Sequence, residues 1–252
     1  MHNAAFRELG LDWRYLPLPA PPGLFEPIVR ALPDSGFAGA NVTVPHKLAA
    51  HALADELSEA AAAIGAVNTL SFREGGVAGD NTDAAGLLDA IGEPLAGRKA
   101  LVLGAGGAGR AAAWALREAG AEVAVWNRTA ERAAALAEEL AIEHAERPGE
   151  GIDVLVNATS VGLEHGRRRR EPASARHAVL GSLGLAGGQP PPLVVDLVYG
   201  DSPTALCVWA EEGGARVVDG LEVLVRQGAR SLASWTGLEP PLAVMRAAAI
   251  QR

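Results

Sequence analysis

The sequence predicts an α/β protein whose middle folds as a doubly wound parallel sheet. Three observations carry this. Short aliphatic runs alternate with Ala-rich amphipathic stretches from about residue 91 to 218, as expected of strands covered on both faces by helices. One run, 99–103, leads straight into Gly104, Ala105, Gly106, Gly107, Ala108 and Gly109, and a helical pattern follows at once. The chain has 252 residues, 49% of them hydrophobic, which supplies one large core or two modest ones.

Taken in order, residues 2–9, 24–32, 58–64 and 83–91 read as helices, and 13–18, 37–42 and 67–72 as strands. Pro45 fits the first turn of a further helix. In the central block the buried-strand runs are 99–103, 122–126, 153–156, 193–197 and 216–218, with helices at 109–119, 130–140 and 203–212. Residues 221–235 and 240–250 are helical again. The stretch 162–192 is the least regular. Its four arginines, Arg167 to Arg170, read as a solvated surface loop.

Composition narrows the function classes. A net charge of −8 disfavours a nucleic-acid surface, because a phosphate backbone attracts clustered Lys and Arg. The single cysteine, Cys207, lies in an apolar helical stretch and reads as a small core residue. It has no partner for an internal disulfide, which suits a reducing cytosol. No apolar run approaches the about 18 residues of a membrane span, and the N-terminus lacks the pattern of a signal peptide. A cytoplasmic protein, monomer or homodimer, is expected. No His, Cys and carboxylate cluster at ligand spacing suggests a metal.

The glycine run matches G-x-G-x-x-G in the context that gives the pattern meaning, between a strand and a helix. The first glycine makes the tight turn, the second admits a pyrophosphate to the backbone, and the third lets helix pack on strand. The helix N-terminus then offers unpaired N–H groups to the phosphates. A Rossmann-type dinucleotide-binding domain follows. The next strand, 122–126, selects the dinucleotide. An NAD site ends this strand in Asp or Glu on the ribose 2′-hydroxyl. Here it ends in Asn127, Arg128 and Thr129, with Arg132 one turn on. A guanidinium pairs with a 2′-phosphate, whereas a carboxylate would repel it, so NADP is expected over NAD.

Ahead of that block, three segments gather polar side chains beside strand ends: Asn41 to Lys47, Ala66 to Thr69, and Gly79 to Asp83. Singly, Asp83 reads equally as a helix cap, Asn68 as a turn residue and Lys47 as a surface lysine. Together, ahead of a dinucleotide fold, they suggest a reaction site.

At these residues the chain resembles the shikimate dehydrogenase family. The similarity runs in order through Asn41–Lys47, Val67–Thr69, Asn81–Gly86, the glycine loop with Asn127-Arg128-Thr129, and Asn157 to Gly162. It continues through Asp196-Leu197-Val198-Tyr199 to Asp219-Gly220 and Gln227. The resemblance implies NADP-dependent reduction of 3-dehydroshikimate to shikimate, with Lys47 and Asp83 as the catalytic pair. It also implies that Thr43, Asn68, Asp83 and Gln227 contact substrate hydroxyls, and that Tyr199 reaches the substrate carboxylate from the other domain. Asn157, Thr159, Ser160, Val198 and Gly220 would lie along the nicotinamide. The implied architecture is two domains. Residues 1–88 and 220–252 form a discontinuous substrate domain, and 89–219 form the NADP-binding domain.

The chain departs from the family pattern at its start. Members carry a strand and a Ser-x-Ser turn ahead of a Met-His-Asn segment, and those hydroxyls bind the substrate carboxylate. This sequence opens on Met1-His2-Asn3, so an internal methionine taken as the start is the expectation, with a real divergence to another ligand as the alternative. Val223 and Leu163 stand where the family often has methionine, and the Arg-rich loop is longer than usual. Two other readings stay open: a quinate/shikimate dehydrogenase of broader specificity, and a non-catalytic NADP-binding homologue. A folate-type dehydrogenase shares only the general architecture.

Overall fold

The computed structural model describes residues 1–74, 76–149, 151–162, 173–200 and 202–251. Leu163 and Arg167 to Arg170 lie outside the described residues. The chain divides into two compact units, Met1–Gly86 with Leu224–Arg252, and Leu87–Val223.

In the first unit, α1 (His2–Glu8) and α2 (Phe25–Ala31) precede β1 (Gly39–Asn41), α3 (Lys47–Leu53), β2 (Glu56–Leu57) and α4 (Glu59–Ile64). A hairpin follows, β3 (Thr69–Arg73) and β4 (Gly76–Asp80), and then α5 (Thr82–Ile91). Among the described residues the sheet order is β1-β3-β4-β2, antiparallel except for the β2–β4 pair. Its core gathers Phe25, Val29, Val42, Leu53, Val67 and Leu70.

Two expectations are corrected here, and one strand went unread. Residues 13–18 form no strand. Their apolar alternation suits one, but Pro17 and Pro19 remove ladder donors, and the Tyr15 N–H goes to the Asn3 side chain at 2.7 Å. Pro45 does not open a helix. It lies in a turn closed by the His46 N–H on the Thr43 carbonyl, and α3 starts at Lys47. The Val44–Pro45 peptide is cis. β4, Gly-Val-Ala-Gly-Asp, escaped the apolar pattern because glycines replace side chains. A Cβ on Gly79 would stand 2.8 Å from the Val67 side chain, so the bare backbone is what fits.

The second unit holds β5 (Lys99–Leu103), α6 (Gly107–Glu118), β6 (Glu122–Trp126), α7 (Ala130–Leu140) and β7 (Glu143–His144). It continues with β8 (Val154–Asn157), α8 (Ala173–Ser182), β9 (Leu193–Asp196), α9 (Ala205–Glu212) and β10 (Arg216–Val218). Among the described residues the sheet order is β10-β9-β8-β5-β6-β7, with every pair parallel. Successive residues of β5 face opposite sides. Ala100 and Val102 pack with Leu116 of α6 and Leu136 of α7, while Leu101 and Leu103 pack with Leu183 and Leu206. Both faces are therefore covered, which is why these strands read as unbroken aliphatic runs. α8 falls inside the stretch expected to be irregular. α10 (Gly220–Thr236) and α11 (Leu242–Ile250) close the chain.

Candidate active site

In the first unit the chemistry collects where β1 and β4 end and β3 begins. The Val42 N–H donates to the Asn68 carbonyl at 2.7 Å and the Val67 N–H to the Lys47 carbonyl at 2.9 Å, so the head of α3 is tied to the approach to β3. The hairpin brings the Asn68 N–H onto the Asp80 carbonyl at 3.0 Å. Asn81 then caps α5, its side-chain oxygen accepting from the Ala84 N–H, which leaves Asp83 in the first turn with a carboxylate to spare.

That carboxylate has two partners. Lys47 Nζ donates to Asp83 Oδ2 at 2.5 Å, and Asn68 Nδ2 donates to Asp83 Oδ1 at 2.8 Å. The Lys47 and Asp83 side chains are 12% and 19% exposed, against a buried Asn68. An ammonium carries three donors, so Lys47 keeps N–H groups for an incoming oxygen while its position is held. Gln227, on α10, accepts from Asn68 Nδ2 at 3.3 Å and from Thr82 Oγ1 at 3.4 Å. Gly86 admits it, since a Cβ there would meet the Gln227 backbone nitrogen at 2.6 Å. Thr43 is exposed on the turn before α3 and its side chain makes no hydrogen bond to this group.

Behind these residues lies a polar layer whose central member, Ser231, sequence reasoning missed. Ser231 Oγ sits 2.8 Å from Thr69 Oγ1 and 3.2 Å from Thr82 Oγ1, and it accepts from Asn41 Nδ2 at 2.8 Å. Tyr15 Oη donates to Asn41 at 3.0 Å. Ser231 stands four residues after Gln227, one helical turn away, and that spacing was the signal available. Every buried side-chain nitrogen or oxygen among the described residues has a partner.

In the second unit the glycine turn follows β5. Gly104 has φ +109°, a region that excludes ordinary side chains. A Cβ on Gly109 would stand 2.0 Å from the Gly104 carbonyl oxygen, so only glycine lets α6 pass that close. Gly106 faces open space, and as the N-cap of α6 it brings no side chain to the helix end, where Gly107 and Ala108 begin the first turn. Uncapped N–H groups beside vacant room fit a pyrophosphate. Arg128 and Arg132 are exposed and have no carboxylate partner among the described residues, as a 2′-phosphate site requires. Asn127 Nδ2 holds the turn by donating to the Thr129 carbonyl at 2.9 Å.

The ends of β8 and β9 form the other edge of this unit's site. Asn157 is fully buried, its Oδ1 accepting from the Thr159 N–H at 3.1 Å and hydroxyl at 2.8 Å. Ser160 is exposed, Val198 is buried, and Tyr199 is 44% exposed. A Cβ on Gly220 would meet the Leu197 and Val198 carbonyls at 2.8 Å, so this glycine is needed for close packing. Among the described residues no three His, Cys, Asp or Glu side chains gather as a metal site, and no helix is long and apolar enough to cross a membrane.

Family models match three stretches: a shikimate dehydrogenase substrate binding domain over residues 1–70, a shikimate / quinate 5-dehydrogenase over 87–161, and a shikimate 5'-dehydrogenase C-terminal domain over 220–250. The chain is 46% identical over 258 residues to a shikimate dehydrogenase (NADP(+)) of Thermus thermophilus, covering 99% of this chain and 91% of the relative. It is 42% identical to that of Methanopyrus kandleri, covering 100% and 89%. Among solved structures, a Thermus thermophilus shikimate 5-dehydrogenase in complex with NADP(H) and shikimate matches with a TM-score of 0.84 and 42% identity over 98% of this chain and 91% of that one. A 5-ketofructose reductase of Gluconobacter also matches, with a TM-score of 0.80 and 31% identity over 98% and 90%.

Proposed function

Because the chain belongs to the shikimate dehydrogenase family, we propose that it is an NADP-dependent oxidoreductase that reversibly reduces 3-dehydroshikimate to shikimate, a step toward the aromatic amino acids. The observation that carries this reading is the Lys47–Asp83 pair at 2.5 Å, with Asn68 on the second carboxylate oxygen.

Bound NADPH supplies a hydride to the substrate's carbonyl carbon. Lys47 stabilises the oxygen as charge develops on it and delivers a proton to it. In the oxidative direction the same nitrogen takes that proton back. Asp83 aims the ammonium, and Asn68 fixes the carboxylate by holding its other oxygen. Thr43, Asn68, Asp83 and Gln227 bind substrate hydroxyls in this reading, and Tyr199 serves the substrate carboxylate. Gly104, Ala105, Gly106, Gly107, Ala108 and Gly109 cradle the pyrophosphate. Asn127, Arg128, Thr129 and Arg132 take the adenosine 2′-phosphate, and Asn157, Thr159, Ser160, Val198 and Gly220 frame the nicotinamide. Residues 1–88 and 220–252 would serve as the substrate domain and 89–219 as the NADP domain. A cytoplasmic monomer or homodimer suits a net charge of −8 and a single buried cysteine.

The test is NADPH oxidation with 3-dehydroshikimate, with quinate and NADP run in parallel. Wild type should turn over, and Lys47→Ala should lose about two to four orders of magnitude in kcat while still binding NADPH. A wild-type chain that binds NADPH yet never oxidises it overturns the enzyme. An alanine variant that keeps most of its kcat overturns the role of Lys47.

A further inference from the structure

The functional reading leaves one buried carboxylate unused. Asp196 ends β9 beside Asn157 at the end of β8, in register in the parallel sheet, and it is only 1% exposed. Asp196 Oδ1 accepts from Asn157 Nδ2 at 2.8 Å and from the Val198 N–H at 3.1 Å. Asp196 Oδ2 accepts from the Thr204 hydroxyl at 2.5 Å, and Thr204 in turn caps α9 by accepting from the Cys207 N–H at 3.1 Å.

The contacts continue outward from Asn157. Its amide nitrogen is turned to Asp196, so its oxygen is aimed at Thr159, accepting from both the N–H and the hydroxyl. The Thr159 hydroxyl oxygen then accepts from the Val161 N–H at 3.1 Å. One carboxylate oxygen thus sets the loop after β8, through Asn157, and the loop after β9, through Val198. Loops at the carboxyl ends of parallel strands are where ligands bind in doubly wound sheets.

We propose that Asp196 is a positioning residue for the nicotinamide half of the NADP site, acting through Asn157 and Val198 without touching the cofactor; this rests on the NADP-dependent reading above. A stability role explains Asp196 poorly. Burial pushes its carboxyl up to about 6 against the pull of Thr204, Val198 and Asn157, so keeping the ion at neutral pH costs the fold. Burying a charge costs free energy even when it is hydrogen-bonded, so burial by itself is weak evidence for a stability role. What the carboxylate alone provides is one atom that accepts from two loops at once and fixes which way the Asn157 amide faces. Thr204 carries the separable, structural part: it donates to the other oxygen and links it to the start of α9, away from the two loops.

The experiment measures NADPH dissociation constants by fluorescence, and both Michaelis constants, for wild type, Asp196→Ala, Asn157→Ala, the double variant and Thr204→Val. Losing a hydrogen bond to a charged group should weaken NADPH binding about tenfold or more in each alanine variant, with the KM for 3-dehydroshikimate held within about twofold. The double variant should be no weaker than the worse single one, because both changes cut the same chain of contacts. Thr204→Val should lower Tm and leave NADPH binding within about twofold. If Asp196→Ala does not fold, Asn157→Ala reads the same chain from its far end. Unchanged NADPH binding in the folded alanine variants, or losses that simply add in the double, would overturn the inference alone. A wild-type chain that bound no NADPH would overturn the functional reading and the inference with it.

Discussion

Arg128 stands two residues past the end of β6 with an exposed guanidinium and no carboxylate partner among the described residues, and the proposed 2′-phosphate contact makes it a test of cofactor preference. NADPH and NADH differ only at the 2′-phosphate, so a side chain that reads this group acts on one and is nearly silent on the other. Arg128→Ala should therefore raise the KM for NADPH about tenfold or more while moving the KM for NADH by less than about twofold. Equal effects on both would mean that Arg128 is only a surface arginine. The same scale shows what a sequence can reveal about a site. Lys47, Asn68 and Asp83 were legible because each sits in a short polar segment at a strand or helix end, and the hairpin does the rest. Ser231 was not, since a small hydroxyl inside a helix looks ordinary until tertiary register puts it within hydrogen-bond reach of Thr69 and Thr82. Asp196 is a harder case still, because its importance lies in Asn157, Val198 and Thr204, partners that only the folded chain brings together.

At the level of elements, the glycine turn proposed to cradle the pyrophosphate depends on backbone geometry that only glycine permits. Gly109 sits where α6 passes the end of β5, and a methyl group there would be driven into the Gly104 carbonyl. That obstacle is backbone, which cannot swing aside as a side chain can. Gly109→Ala should lift α6 away from β5, lower Tm by several degrees and weaken NADPH binding more than tenfold, corresponding to about 1–3 kcal/mol of overpacking. Thermal unfolding and NADPH titration check both halves, and a variant with wild-type values on each would show that the turn has slack. Elements were read from sequence as well as their surroundings allowed. β5, β6, α7 and β10 fall at the expected residues, because a strand buried on both faces must be aliphatic throughout and Ala-rich helices carry a clear 3.6 period. β4 was hidden by its glycines, and 13–18 misled because apolar alternation says nothing about whether prolines leave a donor to pair.

Across the molecule, two buried titratable groups push acid stability in opposite directions. His2 lies in the first unit, its Nε2 donating to the Gly228 carbonyl at 3.1 Å. Desolvation lowers it from 6.5 to about 4, with the Gly228 bond opposing. Its folded value is depressed, so the stability it contributes is present above pH 6.5 and is lost as pH falls through 4, about 3 kcal/mol in all. Asp196 lies in the second unit and its folded value is raised, from 3.8 to about 6. Its contribution is therefore fully present below pH 3.8 and is lost as pH rises through 6, again about 3 kcal/mol. The windows overlap and the signs oppose, so a single global measure of unfolding should change little between pH 6.5 and 4 on account of these two groups. Hydrogen exchange resolves them if the units open separately. Relative to His2→Gln, wild type should lose protection at Leu70 in β3 as pH falls through that range. Relative to Asp196→Asn, it should gain protection at Val156 in β8. If each substitution instead shifts the protection of both strands equally, the two units unfold as one cooperative body, and the opposing contributions cancel within a single transition.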